Sequence, residues 1–150
     1  MTGAAGRLTR FNARLARYGA YLSVTGLLVI VAVVAWQVFG RYVLNSSPTW
    51  AENLALVLIL YVTLIGAAVG VRDAGHIGMD SILVLLFGVA MAYNGWVLGA
   101  SVASYKLANI DLSEAWRFVP LVVSGAMIVL FCIEHLVALW RGEEVEPAWH

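Results

Sequence analysis

The apolar residues of this chain fall into four long runs that are separated by short polar connections. The runs cover residues 21–39, 50–71, 82–105 and 119–140. Each run is about 20 residues long, and a helix of that length rises roughly 30 Å, the thickness of the hydrocarbon core of a bilayer. The pattern predicts an all-α membrane protein, with a single domain of four transmembrane helices over residues 1–150.

Residues 1–20 are the only basic segment, and its charges share one helical stripe. The basic stripe consists of Arg7, Arg10, Arg14 and Arg17. An apolar stripe lies one residue further on and consists of Leu8, Phe11, Leu15 and Tyr18. Neighbouring stripes of this kind predict a basic amphipathic helix that lies at an anionic membrane surface and bends into the first span. A disordered basic tail is the alternative.

The distribution of basic residues predicts the orientation. With four spans, both termini and the connection between spans two and three lie on one side of the membrane. The basic residues on that side are Arg7, Arg10, Arg14, Arg17, Arg72 and Arg141. Those on the other side are Arg41, Lys106 and Arg117. Because basic residues are enriched in cytoplasmic segments, we predict that both termini are cytoplasmic, including the short acidic tail at 141–150.

The overall composition supports a membrane protein and excludes several other classes. Hydrophobic residues make up 62% of the chain and charged residues 12%, whereas about 25% of a soluble domain is charged. The net charge is zero, so no basic field indicates a nucleic-acid partner. The single cysteine, Cys132, lies in an apolar run and is expected to behave as a small buried hydrophobic residue.

Most of the specific polar chemistry flanks the second run. The candidate residues there are Arg41, Trp50, Glu52, Arg72, His76 and Asp80. Glu52 and Thr49 have the spacing of a capping box, while Ser47 and Pro48 offer a second register for the helix start. In either register Glu52 is stabilised by the helix dipole. An ion pair between Glu52 and Arg41 is the other interpretation.

Two spans contain glycines at the spacing that allows helices to approach closely. Gly66 and Gly70 lie in the second span, and Gly95 and Gly99 lie in the third. We expect Gly66 and Gly70 to pack within the bundle or against a partner subunit. Asn94, near the middle of the third span, is expected to form a hydrogen bond between helices.

Glu134 and His135 lie inside the fourth span, about six residues before its end. Ionisable residues within a membrane span are functional candidates. Consecutive helical residues point about 100° apart, so these two do not share one tight site without a bend. We expect Glu134 to pair with a basic group; a proton relay is the alternative.

Motifs for enzymatic chemistry are absent from the sequence: it has no P-loop, zinc pattern, nucleophile elbow or dinucleotide fingerprint. His76 and His135 leave open a haem-binding redox subunit. A small stand-alone proton-coupled exporter is a second alternative, but it needs a carboxylate in the middle of the membrane. The spans offer only Glu52 and Glu134, near their ends. The sequence therefore predicts a scaffold or subunit that is not an enzyme and carries no cofactor or metal.

The chain resembles the small membrane subunit, or Q subunit, of tripartite ATP-independent periplasmic (TRAP) transporters. The resemblance rests on five segments: RY at 41–42, SPTWAEN at 47–53, GAAVGVR at 66–72, HIGMD at 76–80 and FVPLVVSG at 118–125. It covers essentially the whole chain. One departure is that Asp80 leads almost directly into the third span, where the family has a polar or amphipathic stretch. Either this connection is short, or the sequence lacks residues near 82–88.

The resemblance implies a function in the bacterial inner membrane. The chain would be the small scaffold subunit of a secondary transporter that imports organic acids such as dicarboxylates, keto acids or sugar acids. Its partners would be a large multi-span subunit, which carries the substrate and sodium sites, and a periplasmic substrate-binding protein. The candidate residues around the second span, together with Gly66 and Gly70, would then serve structure and subunit contact.

Overall fold

The computed structural model describes residues 4–46, 49–73, 80–106 and 113–141. In these residues four α-helices follow one another: α1 (Ala4–Tyr42), α2 (Thr49–Asp73), α3 (Asp80–Ser101) and α4 (Val119–Arg141). A short 3-10 helix, Glu114–Arg117, precedes α4. All four α-helices are long and apolar enough to cross a membrane. The predicted fold class, an all-α membrane protein with four spans, is confirmed.

Helix α1 is 39 residues long and joins the basic segment to the first span without interruption. It contains no proline, so no backbone hydrogen bond is lost along it. Asn12 and Ala16 are fully buried against the bundle, and all four arginines of the basic stripe are exposed. The segment is helical as predicted, but it packs through Asn12 and Ala16, while Phe11 and Tyr18 of the apolar stripe remain exposed. A position at the membrane surface stays a prediction.

Helix α4 supplies half of the buried core. It packs against α3 and α2 and, less extensively, against α1. Its buried side chains in the core are Met127, Ile128, Phe131 and Cys132; those of the other helices are Ala16, Ile65, Ala68 and Val69. Cys132 is 2% exposed, which confirms that it is a buried hydrophobic residue.

The backbones of α3 and α4 approach each other closely at Gly125. A Cβ atom on Gly125 would lie 2.7 Å from the backbone nitrogen of Ala92 and 2.8 Å from the carbonyl oxygen of Gly88. Both neighbours are main-chain atoms, so neither can rotate away. Further along the same helix pair, Gly95 lies against Leu121 and Val122. Glycine is therefore required at Gly125, because two backbones meet there.

Gly66 and Gly70, the glycine pair of the second span, are less closely packed than Gly125. A Cβ atom on Gly66 would lie 3.5 Å from Ser23 Oγ, at ordinary contact distance. Gly70 is exposed and has no atom within 4 Å of that position. In the part of the chain that the structure describes, no other helix packs closely against Gly70. A contact between Gly70 and a partner subunit stays a prediction.

The predicted end of the third span is wrong by one helical turn. The span was expected to reach Tyr105, but α3 ends at Ser101. Residues 102–104 turn, and Ser113 Oγ donates a 2.8 Å hydrogen bond to the carbonyl oxygen of Ala103. The backbone nitrogen of Glu114 also donates to the carbonyl oxygen of Tyr105, at 2.8 Å. Ser113 and Glu114 thus donate hydrogen bonds to carbonyl groups beyond Ser101. These bonds take the place of the backbone hydrogen bonds that a longer α3 would form.

The contrast between Gly125 and Gly70 gives a matched test of the packing. We expect Gly125→Ala to lower the free energy of unfolding by about 1–3 kcal/mol, because overpacking forces the backbones of α3 and α4 apart. Gly70→Ala should be neutral or slightly stabilising, since alanine is the better helix former and meets open space. Thermal unfolding of both variants in the same detergent measures the difference. Equal stabilities would show that α3 and α4 do not touch at Gly125.

Candidate functional site

Five polar side chains from three helices come together at the end of the bundle where α2 ends. We call this group the polar cluster; it consists of Asn12 from α1, Arg72 and Asp73 from α2, and Glu134 and His135 from α4. Four of the five are 5% exposed or less. The cluster is the candidate functional site because, in the described residues, it holds all the buried charges.

Arg72 and Glu134 form the centre of the cluster. Arg72 Nη2 donates to Glu134 Oε1 at 3.2 Å, and Arg72 Nε donates to Oε2 at 3.3 Å. Two parallel bonds between a guanidinium and a carboxylate fix both groups in direction as well as distance. Asn12 Nδ2 adds a 2.9 Å bond to the same Oε2 and a 3.2 Å bond to the carbonyl oxygen of Leu130. One carboxylate therefore holds α1, α2 and α4 together.

His135 and Asp73 extend the cluster around the end of α2. His135 Nε2 lies 3.1 Å from the carbonyl oxygen of Arg72. A carbonyl oxygen only accepts, so Nε2 carries the proton and donates it. That bond satisfies one of the carbonyl groups that the last turn of a helix leaves without a helical partner. Asp73 Oδ1 lies 3.7 Å from Arg72 Nη1, on the side of the guanidinium away from Glu134.

The energetics of this arrangement are asymmetric. Transfer of a charge out of water costs several kcal/mol, and a well-formed buried pair roughly compensates for that cost. Loss of one partner is expensive, about 3–5 kcal/mol, because the other charge stays buried and uncompensated. The cluster therefore contributes little net stability but strongly disfavours arrangements in which the three helices shift relative to one another.

The expected pairing of Glu134 with a basic group is confirmed, and the partner is Arg72. In the sequence, Arg72 and Glu134 are 62 residues apart, and each lies near the end of its span on the side predicted for the termini. Asn12 was missed altogether. One signal could have found it: Asn12 is a lone amide on the face of α1 opposite the basic stripe, where a polar side chain needs a partner.

The candidate residues at the other end of the second span are not brought together. Arg41 and Glu52 are both exposed, and in the described parts of the chain no ion pair joins them. Trp50 is 44% exposed at the start of α2. α2 begins at Thr49, and Ser47 and Pro48 lie outside the described residues, so the two capping registers stay open. Asn94 is exposed and donates to Ala90 of its own helix, which contradicts the expected bond between helices.

The remaining candidates lie in and around the connection between α2 and α3. Asp80 is the first residue of α3, so the third span begins at the end of the HIGMD segment. His76 lies outside the described residues. Of the two histidines proposed for haem, His135 uses its Nε2 to bind α2. Among the described residues no group of three or more His, Cys, Asp or Glu side chains could hold a metal ion.

These observations define a class: a four-span membrane protein whose buried charges bind its own helices together. Residues 30–84 match the family model described as the DctQ component of tripartite ATP-independent periplasmic transporters. The chain is 24% identical over 138 residues to the sialic acid TRAP transporter small permease protein SiaQ of Vibrio cholerae, and the match covers 80% of each chain. It is also 32% identical over 66 residues to the sialic acid TRAP transporter permease protein SiaT of Haemophilus influenzae, which covers 44% of this chain and 11% of that protein.

The chain is thus similar to TRAP transporter small permease subunits, through the family-model match over residues 30–84 and through a relative that it matches over 80% of its length. It is thus a multi-pass protein of the bacterial inner membrane and a transporter subunit, not an enzyme. The family model and both relatives are described as parts of TRAP transporters, which are tripartite, and one of the relatives is a permease protein of such a system. The resemblance drawn from the sequence segments is confirmed. Arg72, at the centre of the polar cluster, lies within the matched region.

The polar cluster can be tested by removal of one charge and then of both. We expect Glu134→Gln to lower the free energy of unfolding by about 3 kcal/mol, because Arg72 stays buried without its counter-charge. The double variant Arg72→Met with Glu134→Leu should recover most of that loss, since apolar side chains replace the whole pair. Both are measured by thermal or denaturant unfolding in detergent.

A suitable control is Glu114→Gln, which breaks an exposed ion pair. In that pair Arg117 Nη1 lies 3.6 Å from Glu114 Oε1, and the side chains of Arg117 and Glu114 are 31% and 37% exposed. Its loss should stay below about 1 kcal/mol. If Glu134→Gln costs no more than this control, the buried pair does not hold the helices together.

Proposed function

We propose that this subunit is the fixed scaffold of a TRAP transporter that imports organic acids of the sugar-acid type. The large permease binds the substrate and sodium and performs the movement, and this chain carries no cofactor of its own. The substrate class is suggested by the two relatives, both of which are named as parts of sialic acid transporters. Sialic acid is a carboxylated sugar and falls within the class that the sequence segments imply.

One observation supports the scaffold role above the others: the charge distribution inside the bundle. The buried polar side chains of the described residues are Asn12, Arg72, Ser81, Ser124, Glu134 and His135. The charged ones lie at one end, and Glu134 is engaged by Arg72 and Asn12. Ser124 Oγ, deeper in α4, donates to Leu121 of its own helix. A solute or ion passing through the bundle would meet an apolar middle with no charge to bind it.

Transport measurements test this proposal directly. Proteoliposomes that contain this chain alone should show no sodium-dependent or proton-dependent uptake of acidic sugars. Vesicles that contain this chain with its large permease, supplied with the periplasmic binding protein, should take them up. Uptake by this chain alone would overturn the scaffold role, and uptake by the large permease without this chain would show that no scaffold is needed.

Gly70 gives a sharper test of subunit contact, because its surroundings in the bundle are open. Gly70→Leu should leave the thermal stability of the isolated subunit unchanged but reduce co-purification of the large permease severalfold, because a large side chain obstructs a close helix contact. Leu60→Ala, a change at an exposed apolar residue on the same helix, is a control for general surface effects. Full co-purification with Gly70→Leu would place the interface elsewhere.

A further inference from the structure

Helix α3 lies at the edge of the bundle. Among the described helices its backbone comes close only to α4 and to the 3-10 helix, whereas α1, α2 and α4 all approach one another. Two glycines mark the side of α3 that meets α4. A Cβ atom on Gly88 would lie 2.8 Å from Ile128, and one on Gly95 would lie 3.0 Å from Val122. Much of the remaining surface of α3 is exposed and faces the surroundings of the subunit.

The two flanks of α3 beside this contact differ in chemistry. Successive residues of a helix point about 100° apart, so Asn94 and Trp96 lie on opposite sides of Gly95. On the side of Trp96, α3 and α4 form a groove of about 300 Å³. Glycine, alanine, valine and aromatic residues line this groove, among them Gly99 and Ala100. The acyl chains of lipids can cover such an apolar flank without leaving a polar group unsatisfied.

On the other flank, Asn94 presents an amide to the outside of the bundle. The residue is exposed, and its Nδ2 donates a 2.8 Å hydrogen bond to the carbonyl oxygen of Ala90. An amide side chain has two N–H donors and an oxygen that accepts two bonds, so this one bond uses a small part of its capacity. In the part of the chain that the structure describes, no group donates to Asn94 Oδ1.

The depth of Asn94 along α3 places this amide within the hydrocarbon. Asn94 comes fourteen residues after Asp80 and seven before Ser101, which are the first and last residues of α3. These separations correspond to about 21 Å and 10 Å along the helix axis. The hydrocarbon core of a bilayer is about 30 Å thick, so Asn94 lies well inside it from either end.

An amide oxygen that faces hydrocarbon is unfavourable unless another group binds it. Transfer of an amide out of water is costly when no hydrogen bond compensates for it, and acyl chains offer no donor at this depth. A helix of another membrane protein can supply one from a hydroxyl, amide, phenol or indole group. Polar side chains of this kind bind neighbouring helices to one another within membranes. The Asn94 flank is therefore better matched to a helix than to lipid.

We propose that the Asn94 flank of α3 is a docking surface for a transmembrane helix of the large permease, and that this helix donates a hydrogen bond to Asn94 Oδ1. Ala90 lies one turn away on the same flank and is exposed, and its small side chain allows a second helix to approach closely. The opposite flank, at Trp96, is left to lipid. The inference rests on the proposed function, which supplies the large permease as the neighbour in the membrane.

Photo-crosslinking in membranes identifies what covers each flank. The subunit is co-expressed with its large permease, and p-benzoylphenylalanine replaces either Asn94 or Ala100, an exposed residue on the groove flank. We expect a crosslinked product with the large permease from position 94, and severalfold less of it from position 100. A product with the mass of two copies of this chain, or lipid adducts alone, at position 94 would overturn the proposal. Equal permease products from both positions would also overturn it.

Removal of the amide tests the hydrogen bond itself. Asn94→Leu should weaken the association with the large permease about 3- to 20-fold, the range for hydrogen bonds between membrane helices. Asn94→Gln keeps the amide and should lose less. The association is measured as the amount of large permease that a tagged subunit retains over a dilution series in detergent. The thermal stability of the isolated subunit should not fall in Asn94→Leu, because Asn94 binds only its own helix in the described structure.

The matched control is Ala100→Leu, which adds an apolar side chain to the groove flank and should leave the association unchanged. An unchanged association in Asn94→Leu, or an equal loss in Ala100→Leu, would overturn the proposal. If the natural chain retains no large permease at all, the proposed function fails and this inference fails with it. If the natural chain retains the permease and Asn94→Leu retains it equally well, this inference alone fails and the proposed function stands.

Discussion

The ion pair between Arg72 and Glu134 determines how three of the four helices meet. Arg72 lies in the last turn of α2 and Glu134 lies inside α4, so their two parallel hydrogen bonds fix the rotation of both helices. Asn12 binds the same carboxylate and brings α1 to the same point. At low dielectric, separation of such a pair costs far more than its formation contributes. The bundle therefore has one arrangement of these helices that satisfies the charges.

Close packing of helices adds to the Arg72–Glu134 ion pair in the rest of the molecule. α3 contributes no residue to the polar cluster and is joined to α4 mainly through close contact at Gly125. α4 thus binds α1 and α2 through polar contacts at one end as well as through the apolar core, and it meets the backbone of α3 at Gly125. Two kinds of interaction, one directional and one steric, converge on the same helix.

Much of the fold could be predicted from the sequence, because length and hydropathy directly reflect the thickness of a bilayer. The four spans follow from that constraint, and the identity of the family follows from segments such as HIGMD at 76–80. Contacts between helices were harder to predict. Gly70 and Gly125 look alike in sequence, yet one meets open space and the other a neighbouring backbone. The difference depends on helix rotation, and apolar spans with little amphipathicity do not encode rotation in their hydrophobic pattern.

Side-chain partners were predictable only where burial leaves a single choice. Glu134 required a basic group, and that expectation held. The sequence does not specify how far antiparallel helices are shifted along one another. It therefore did not show that the basic partner of Glu134 is Arg72, or that Asn12 binds the same carboxylate. Asn94 shows the opposite case: a polar residue in a span was expected to bridge helices, but it donates to Ala90 on its own helix. Bonding within one helix satisfies part of an amide without any partner helix.

The position of the polar cluster also has an electrical consequence. Movement of one elementary charge across a membrane potential of 100 mV involves about 2.3 kcal/mol of work. Arg72 and Glu134 lie at the same depth and neutralise each other, and in the described residues no other charge is buried in the bundle. A small displacement of this pair therefore carries no net charge through the field. The voltage that can drive an electrogenic partner does almost no work on the pair.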